Sequence, residues 1–434
     1  MTEYPVGTSL WNAEEPPNGL QPPRDAEIDV AVVGGGFAGL ASAYQMHVAD
    51  PSLQVAVLER DYVGFGASGR AFGVFAPMHP GIIFGTLASC HGAGVASWAA
   101  AYIGRQVEEW KELLQGARVD CEYRACPILI TARSHAEFKL LERCTENLRE
   151  AQVEHQAVGE AHLREVTSFP AKRGLVLTRG FATLNPFKLA RGLRQLLIDR
   201  GVGVYEHTKV TGVHPNAGRV DLQIDGGTRL RARKVVLSTS VHTSGFGFGR
   251  ASSGLAGAYT YVLATERLDD NMLARLGPAL DGGVIAEARI KYAYTRVHDR
   301  RLLFGGRTRV VRTPSEAAEA DLRSYRALHA QMRDCFPFLE GARIEAAWSG
   351  PVQIANLARM PVVKPVPQHP DVVLNVGYNV DGMSLALLSG KMAVGTALGE
   401  RFEDRDAERL RRIYLATHMR VGELLHTLPW LVRA

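Results

Sequence analysis

An α/β fold is predicted, in which a Rossmann-like β-α-β unit opens one domain and two intervening segments build a second, strand-rich domain. Three observations carry this. An apolar run at residues 28–33 meets the glycine turn Gly34-Gly-Gly-Phe-Ala-Gly39. A helical stretch at 40–48 and a second apolar strand ending at Glu59 follow it. Much later, the run 234–240 reads as a buried strand returning to the same sheet and 371–376 as a final buried strand, while the segments between them alternate like antiparallel strands.

Each element has a local reason. Residues 1–25 contain Pro5, Pro16, Pro17, Pro22 and Pro23 and read as an extended arm. In the glycine turn, Gly34 permits the tight bend, Gly36 lets the backbone approach a pyrophosphate, and Gly39 lets helix and strand pack closely. The helix N-terminus then offers N–H groups and a positive dipole end to two phosphates. Glu59 ends the second strand about twenty residues on, where a carboxylate accepts hydrogen bonds from a ribose diol. Strand, glycine turn, helix, strand and acid together point to a bound dinucleotide.

The loop Val63-Gly-Phe-Gly-Ala-Ser-Gly-Arg70 repeats the spacing at Gly64, Gly66 and Gly69. No strand leads into it and Gly73 interrupts the residues after it, so a second nucleotide fold is not expected there. Helical patterns cover 95–116 and 134–151, separated by an apolar run at 127–131. Asn185-Pro186 starts another helix, as cap residue and first-turn proline, and strands follow at 201–206, 209–214 and 220–224. Strands are also expected at 259–265, 290–297 and 301–304, and a helix at 383–398 behind Asp381-Gly382. The resulting division is a nucleotide domain of 26–80, 185–250 and 346–434, and a second domain of 81–184 and 251–345.

Composition narrows the class. The chain has 434 residues, 46% hydrophobic and 22% charged, with a net charge of +5 and no basic block. That balance argues against nucleic acid as a partner. Five cysteines without a C-x-x-C pair predict reduced thiols and a cytoplasmic protein, and exclude a disulfide reductase. No run reaches the ~20 apolar residues of a membrane span. Oligomeric state is not legible.

The glycine turn, the Leu-Glu that ends the second strand, and Gly64-Phe-Gly-Ala-Ser-Gly-Arg70 resemble the FAD-dependent amine and amino-acid oxidases of the D-amino-acid oxidase superfamily. Asn185-Pro186, Gly203-Val-Tyr-Glu206 with Val210, Arg301 to Gly306, Trp348-Ser-Gly350 and Gly377-Tyr378 follow in the same order. The resemblance implies a Rossmann-like FAD-binding domain with an inserted substrate domain of antiparallel β-sheet plus helices. It places Gly34, Gly36, Phe37, Ala38 and Gly39 at the pyrophosphate, Glu59 at the ribose, and Arg60 and Val210 at the adenine. Gly66, Ala67, Ser68, Gly69 and Arg70 would wrap the ribityl chain and one flavin edge. Gly377, Gly382, Met383 and Ser384 would lie near the flavin pyrimidine ring, and Gly350 would be a further cofactor contact. FAD is expected to be noncovalent, since no cysteine stands between Trp348 and Met383.

The implied reaction moves a hydride from a carbon beside an amine nitrogen to FAD, with O₂ as acceptor and a small amine or amino acid as substrate. Lys291, in an apolar stretch resembling the sarcosine-oxidase branch, is the expected catalytic residue, as a cation that favours oxygen reduction. His79, Asp381 and Arg296 are substrate-binding candidates, with Arg307 as another cation for a carboxylate. Two departures leave the substrate open: Ser384 stands where that branch has lysine, and Arg70-Ala-Phe-Gly73 differs from the putrescine-oxidase branch. A dehydrogenase using a quinone or carrier protein, a tailoring oxidase on a larger amine, and a non-catalytic flavin-binding subunit are the alternatives.

Overall fold

The computed structural model describes residues 4–7, 9–11, 26–76, 82–216, 218–248, 255–288, 294–311, 315–355, 360–379, 381–399 and 404–427. Two eight-stranded sheets organise them. In the first, Ala26–Val33 runs parallel to Val55–Leu58 on one side and Arg229–Leu237 on the other. Gly203–Tyr205 continues the parallel run beyond Val55–Leu58, and His369–Val376 beside the second half of Arg229–Leu237. All four residues of Val55–Leu58 are buried, which is why such strands read as unbroken apolar runs. Arg219–Ile224 and Val210–Asn216 add an antiparallel ribbon at the first half of Arg229–Leu237.

The helices Phe37–Ala49 and Gly382–Leu398 pack on each other beside this sheet. Gly390 makes that possible, because a Cβ there would stand 2.6 Å from the Ala41 carbonyl oxygen.

The second sheet runs Ile344–Ala355, Leu255–Thr265, Arg301–Val311, Tyr294–His298, Val284–Glu287, Ile128–Ala132, Arg173–Leu177, Gln156–Gly159. It is antiparallel except where Val284–Glu287 meets Ile128–Ala132. Two separate segments of the chain supply the halves, and the parallel seam is where they dock; a hairpin cannot make such a pair. Leu322–Cys335 lays Tyr325, Leu328 and Met332 on the sheet with helical spacing. That helix and Arg405–Thr427 are not among the predicted elements; their many charges mask the apolar stripe.

Other predicted helices recur with small changes of boundary, whereas the strand expected at 301–304 runs on to Val311 and residues 290–293 of the strand expected at 290–297 lie outside the described residues. The helices are Ala93–Gly116, His135–Glu150 and Pro186–Ile198. Ser134 closes a capping box with Glu137, and Asn185 caps its helix through the Phe187 and Lys188 N–H groups, each at 3.1 Å. Of the N-terminal arm, Tyr4 and Trp11 are buried and Val6 bridges Ala347. No helix among the described residues is long and apolar enough to cross a membrane.

Candidate functional site

A cavity of about 1370 Å³ starts at the glycine turn and ends against the second sheet. Ordinary small-molecule sites span roughly 300–1000 Å³, so there is room for a dinucleotide and a second molecule. Gly34, Gly36, Phe37, Ala38, Glu59, Arg60, Gly66, Ala67, Ser68, Arg70 and Val210 line it, as do Gly350, Gly377, Asp381, Gly382 and Met383. Gly39, Gly69 and Ser384 do not.

The glycines explain this split. Gly34 has φ +108°, and a Cβ on it would stand 2.6 Å from the Ser238 carbonyl oxygen. A Cβ on Gly39 would stand 1.8 Å from the Gly34 carbonyl oxygen, so this glycine seats the helix on the turn and faces away from the cavity. The second loop repeats the closure: Gly64 has φ +93°, and a Cβ on Gly69 would stand 2.0 Å from the Gly64 carbonyl oxygen. Here no helix follows, and the loop folds back on itself. Ser68 Oγ then accepts the Phe37 N–H at 2.9 Å. Gly36 has no side chain with which to cap the helix, and the second loop supplies the cap. The two glycine loops form one cradle.

At one end, Glu59 accepts the N–H groups of Gly35 at 2.6 Å and Asp61 at 3.0 Å. Burial raises its carboxyl pKa, and those two bonds oppose the rise. The chain after Gly203–Tyr205 is tied alongside: His207 N–H donates to the Asp61 carbonyl at 2.6 Å and Thr208 N–H to that of Glu59 at 2.7 Å. This brings Val210 to the same end. His242 joins them on the wall, its pKa lowered by burial and by Arg60.

Glu206 has a role that its place in the family order does not convey. Fully buried, its carboxylate accepts the Val63 N–H at 2.8 Å and Arg194 Nε at 2.7 Å, and pairs with Arg191. It thereby anchors the entrance of the second loop to the helix Pro186–Ile198.

At the other end, Gly377, Asp381, Gly382 and Met383 surround the start of Gly382–Leu398. Trp110 Nε1 donates to the Met383 carbonyl at 2.9 Å, and Ser384 Oγ accepts the Ala76 N–H at 3.0 Å, which turns that serine from the cavity. Tyr378 donates to Asn375 Oδ1 at 2.6 Å and bonds Ser389, while Asn375 donates to Ser42 Oγ at 2.9 Å. This chain joins the two helices that flank the cavity, and burial raises the Tyr378 pKa. Asp381 precedes the helix without a side-chain cap bond. Arg70 pairs with Glu319 and lies 4.7 Å over the Phe65 ring. Phe72 and Tyr294, with centroids 5.9 Å apart, make an aromatic wall.

Arg296 lies elsewhere. It is 3% exposed, does not line the cavity, and donates to the carbonyls of Gly73 at 2.5 Å and Leu184 at 3.3 Å. Burial lowers its pKa to about 10, still a cation at neutral pH. Arg307 is exposed and also off the cavity wall. His79 and Lys291 lie outside the described residues.

His298 Nδ1 accepts from Arg296 Nη2 at 3.3 Å, which requires a neutral ring. Burial and Arg296 lower its pKa from 6.5, with Arg301 helping and Glu122 and Asp299 opposing. A histidine depressed in the folded state stabilises the fold above its unfolded pKa; that stability is lost as pH falls through about 6.5 toward the folded value. Thermal unfolding against pH is expected to show an acid-side loss that is smaller in His298→Gln; equal slopes for both proteins would contradict this.

The wall fits a dinucleotide. Ser238 Oγ and Gln353 Oε1, on residues that line it, are buried without a hydrogen-bond partner among the described residues, and among these a Cβ on Gly66 would meet nothing within 4 Å. Comparison with known proteins agrees. A family model described as FAD dependent oxidoreductase matches residues 29–395. Gamma-glutamylputrescine oxidoreductase of Escherichia coli (strain K12) is 25% identical over 379 residues, 86% of this chain and 85% of its own length. Glycine oxidase of Pseudomonas putida is 26% identical over 364 residues, covering 82% and 91%. The crystal structure of glycine oxidase from Geobacillus kaustophilus shares the fold with a TM-score of 0.69 at 19% identity, over 86% of this chain and 96% of that one.

Proposed function

The chain belongs to the FAD dependent oxidoreductase family, and we propose that it oxidises the carbon–nitrogen bond of a small amine or amino acid, with O₂ as acceptor and H₂O₂ as product. When bound, FAD supplies the acceptor for the hydride leaving the carbon beside nitrogen, and the substrate, now an imine, hydrolyses to a carbonyl compound and an amine. Gly34 and Gly36 to Ala38 would hold the pyrophosphate, Glu59 the ribose, and Val210 with Arg60 the adenine. Gly66 to Arg70 and the residues Gly377, Gly382 and Met383 would hold the rest.

One observation carries the reading. The cavity does not stop at the nucleotide cradle but continues to Phe72, Tyr294 and Gly305, beside the start of Gly382–Leu398. The aromatic wall, Phe72 and Tyr294, makes that end apolar. The helix N-terminus favours negative charge by ~0.3–1 kcal/mol, and Asp381, on the cavity wall before that helix, would meet a cationic amine. The charge of Arg70 is already met by Glu319, so a substrate carboxylate would have to compete for it. The named relatives act in the same direction: one carries an amine in its name, the other an amino acid.

The test is anaerobic mixing with polyamines, N-methyl amino acids and D-amino acids. Loss of the FAD absorbance band is expected with one of these classes. If none bleaches it, a non-catalytic flavin-binding subunit becomes the better account. Air is then admitted: prompt recovery with H₂O₂ supports the oxidase, whereas recovery only with a quinone indicates a dehydrogenase. Lys291→Met is expected to slow recovery in air by on the order of tenfold or more, and an unchanged rate would remove Lys291 from the oxygen step.

A further inference from the structure

The loop that follows the second glycine motif is held by donors from outside the nucleotide cradle. The Arg70 carbonyl accepts from Trp348 Nε1 at 3.0 Å, that of Ala71 from Trp11 Nε1 at 2.8 Å, and that of Gly73 from Arg296 Nη1 at 2.5 Å. Trp348 belongs to Ile344–Ala355 and Arg296 to Tyr294–His298, both in the second sheet. Trp11 belongs to the N-terminal arm. The donors support one another: the Trp11 ring is 6.2 Å from Trp348 and 4.8 Å from His298, and the Arg296 guanidinium is 5.3 Å from it. Trp11 is 6% exposed.

The arm is seated by its own backbone. Gly7 N–H donates to the Ala347 carbonyl at 3.1 Å, and Ala347 N–H to that of Pro5 at 3.3 Å. Tyr4 is buried, with its hydroxyl 3.2 Å from His329 Nδ1. This seat delivers the Trp11 indole to the loop.

The residues that the loop carries make the contact consequential. Arg70, Ala71, Phe72 and Gly73 all line the cavity. Phe72 sits between the held carbonyls, and its ring lies against Gly305, where a Cβ would stand 2.6 Å from Phe72 Cδ2. A stretch rich in small residues has many backbone states to lose on ordering, and buried carbonyl contacts select one of them.

We propose that Trp11 is a positioning residue: its indole N–H fixes Ala71, and with it the FAD-facing loop and Phe72, so that the N-terminal arm is a working part of the cofactor cradle. The proposal rests on FAD binding alone, so an amine panel that bleaches nothing leaves its test intact.

The test replaces Trp11 in the full chain by phenylalanine and, separately, by benzothienylalanine, which keeps the bicyclic shape and lacks the N–H. Three readouts are compared with the unmodified protein: hydrogen exchange of the 70–76 amides in the apoprotein, the FAD dissociation constant from fluorescence titration, and the visible circular dichroism of bound FAD. The loss of one partly buried hydrogen bond predicts FAD binding about threefold to tenfold weaker, faster exchange confined to that loop, and an altered flavin band. Tyr4→Phe, which removes only the hydroxyl contact to His329 and leaves the two backbone bonds that seat the arm, is expected to change none of these. If benzothienylalanine at position 11 leaves loop exchange and FAD affinity unchanged, or if Tyr4→Phe reproduces both effects, the assignment to the Trp11 N–H fails. The shape-preserving residue keeps the test decisive even if Trp11→Phe does not fold.

Discussion

Gly39→Ala is expected to destabilise the nucleotide domain by about 4 kcal/mol or more and to abolish copurification of FAD. The added Cβ would stand 1.8 Å from the Gly34 carbonyl oxygen and 3.1 Å from its carbon. Those are backbone atoms of the turn itself, so relief requires the helix Phe37–Ala49 to lift away. That helix also packs against Gly382–Leu398 and is tied to it through Ser42, Asn375, Tyr378 and Ser389. Lifting it would disturb both ends of the cavity. Gly66→Ala is the informative contrast. Among the described residues nothing lies within 4 Å of a Cβ there, so stability should stay within about 0.5 kcal/mol while FAD binding weakens. Urea unfolding and FAD titration of the two variants check the pair. Equal stability loss in both would refute the packing role of Gly39 and the ligand-facing role of Gly66.

Glu206→Ala is expected to cost about 3 kcal/mol, the lower part of the range for breaking a buried ion pair. The substitution leaves Arg191 and Arg194 without their shared carboxylate and strips the acceptor from the Val63 N–H. Side-chain exposures of 23% and 16% let water soften the loss for the two arginines. Glu206→Gln should cost less, because its amide oxygen can still accept from Val63. Both variants are expected to bind FAD more weakly, since the loop from Val63 to Arg70 loses its anchor. Equilibrium unfolding with FAD titration measures this, and full affinity in Glu206→Ala would show that the loop holds its shape unaided.

Much of the nucleotide domain was legible in local pattern. Gly34, Gly36, Gly39 and Glu59 stand within one β-α-β unit, where chain connectivity alone brings them together. Asn185-Pro186 announces its helix for a similar reason, since a cap acts on the next two or three residues. The second glycine loop was only half legible. Its spacing repeats that of the first, but that Ser68 caps the helix Phe37–Ala49 depends on two loops meeting in space. Ser384 illustrates the limit: the helix start was evident, but the direction of the side chain follows from Ala76, a residue 308 positions away. Arg296 is another case, since a strand arginine reads as a substrate-binding cation until its burial against Gly73 and Leu184 is seen.

The sequence by itself therefore determined the β-α-β unit, its dinucleotide, the family and the α/β class, because these are written in short-range spacing and in the order of apolar runs. Only the tertiary structure decided which glycines face the cavity and which face backbone, and that Glu206, Trp348, Arg296 and Trp11 grip the loop from Val63 to Gly73. It also decided that the second sheet is sewn from two segments along a parallel seam. The physical reason is the same throughout: these contacts join atoms remote in sequence, and no local propensity records which remote donor a carbonyl will find once the sheets have packed.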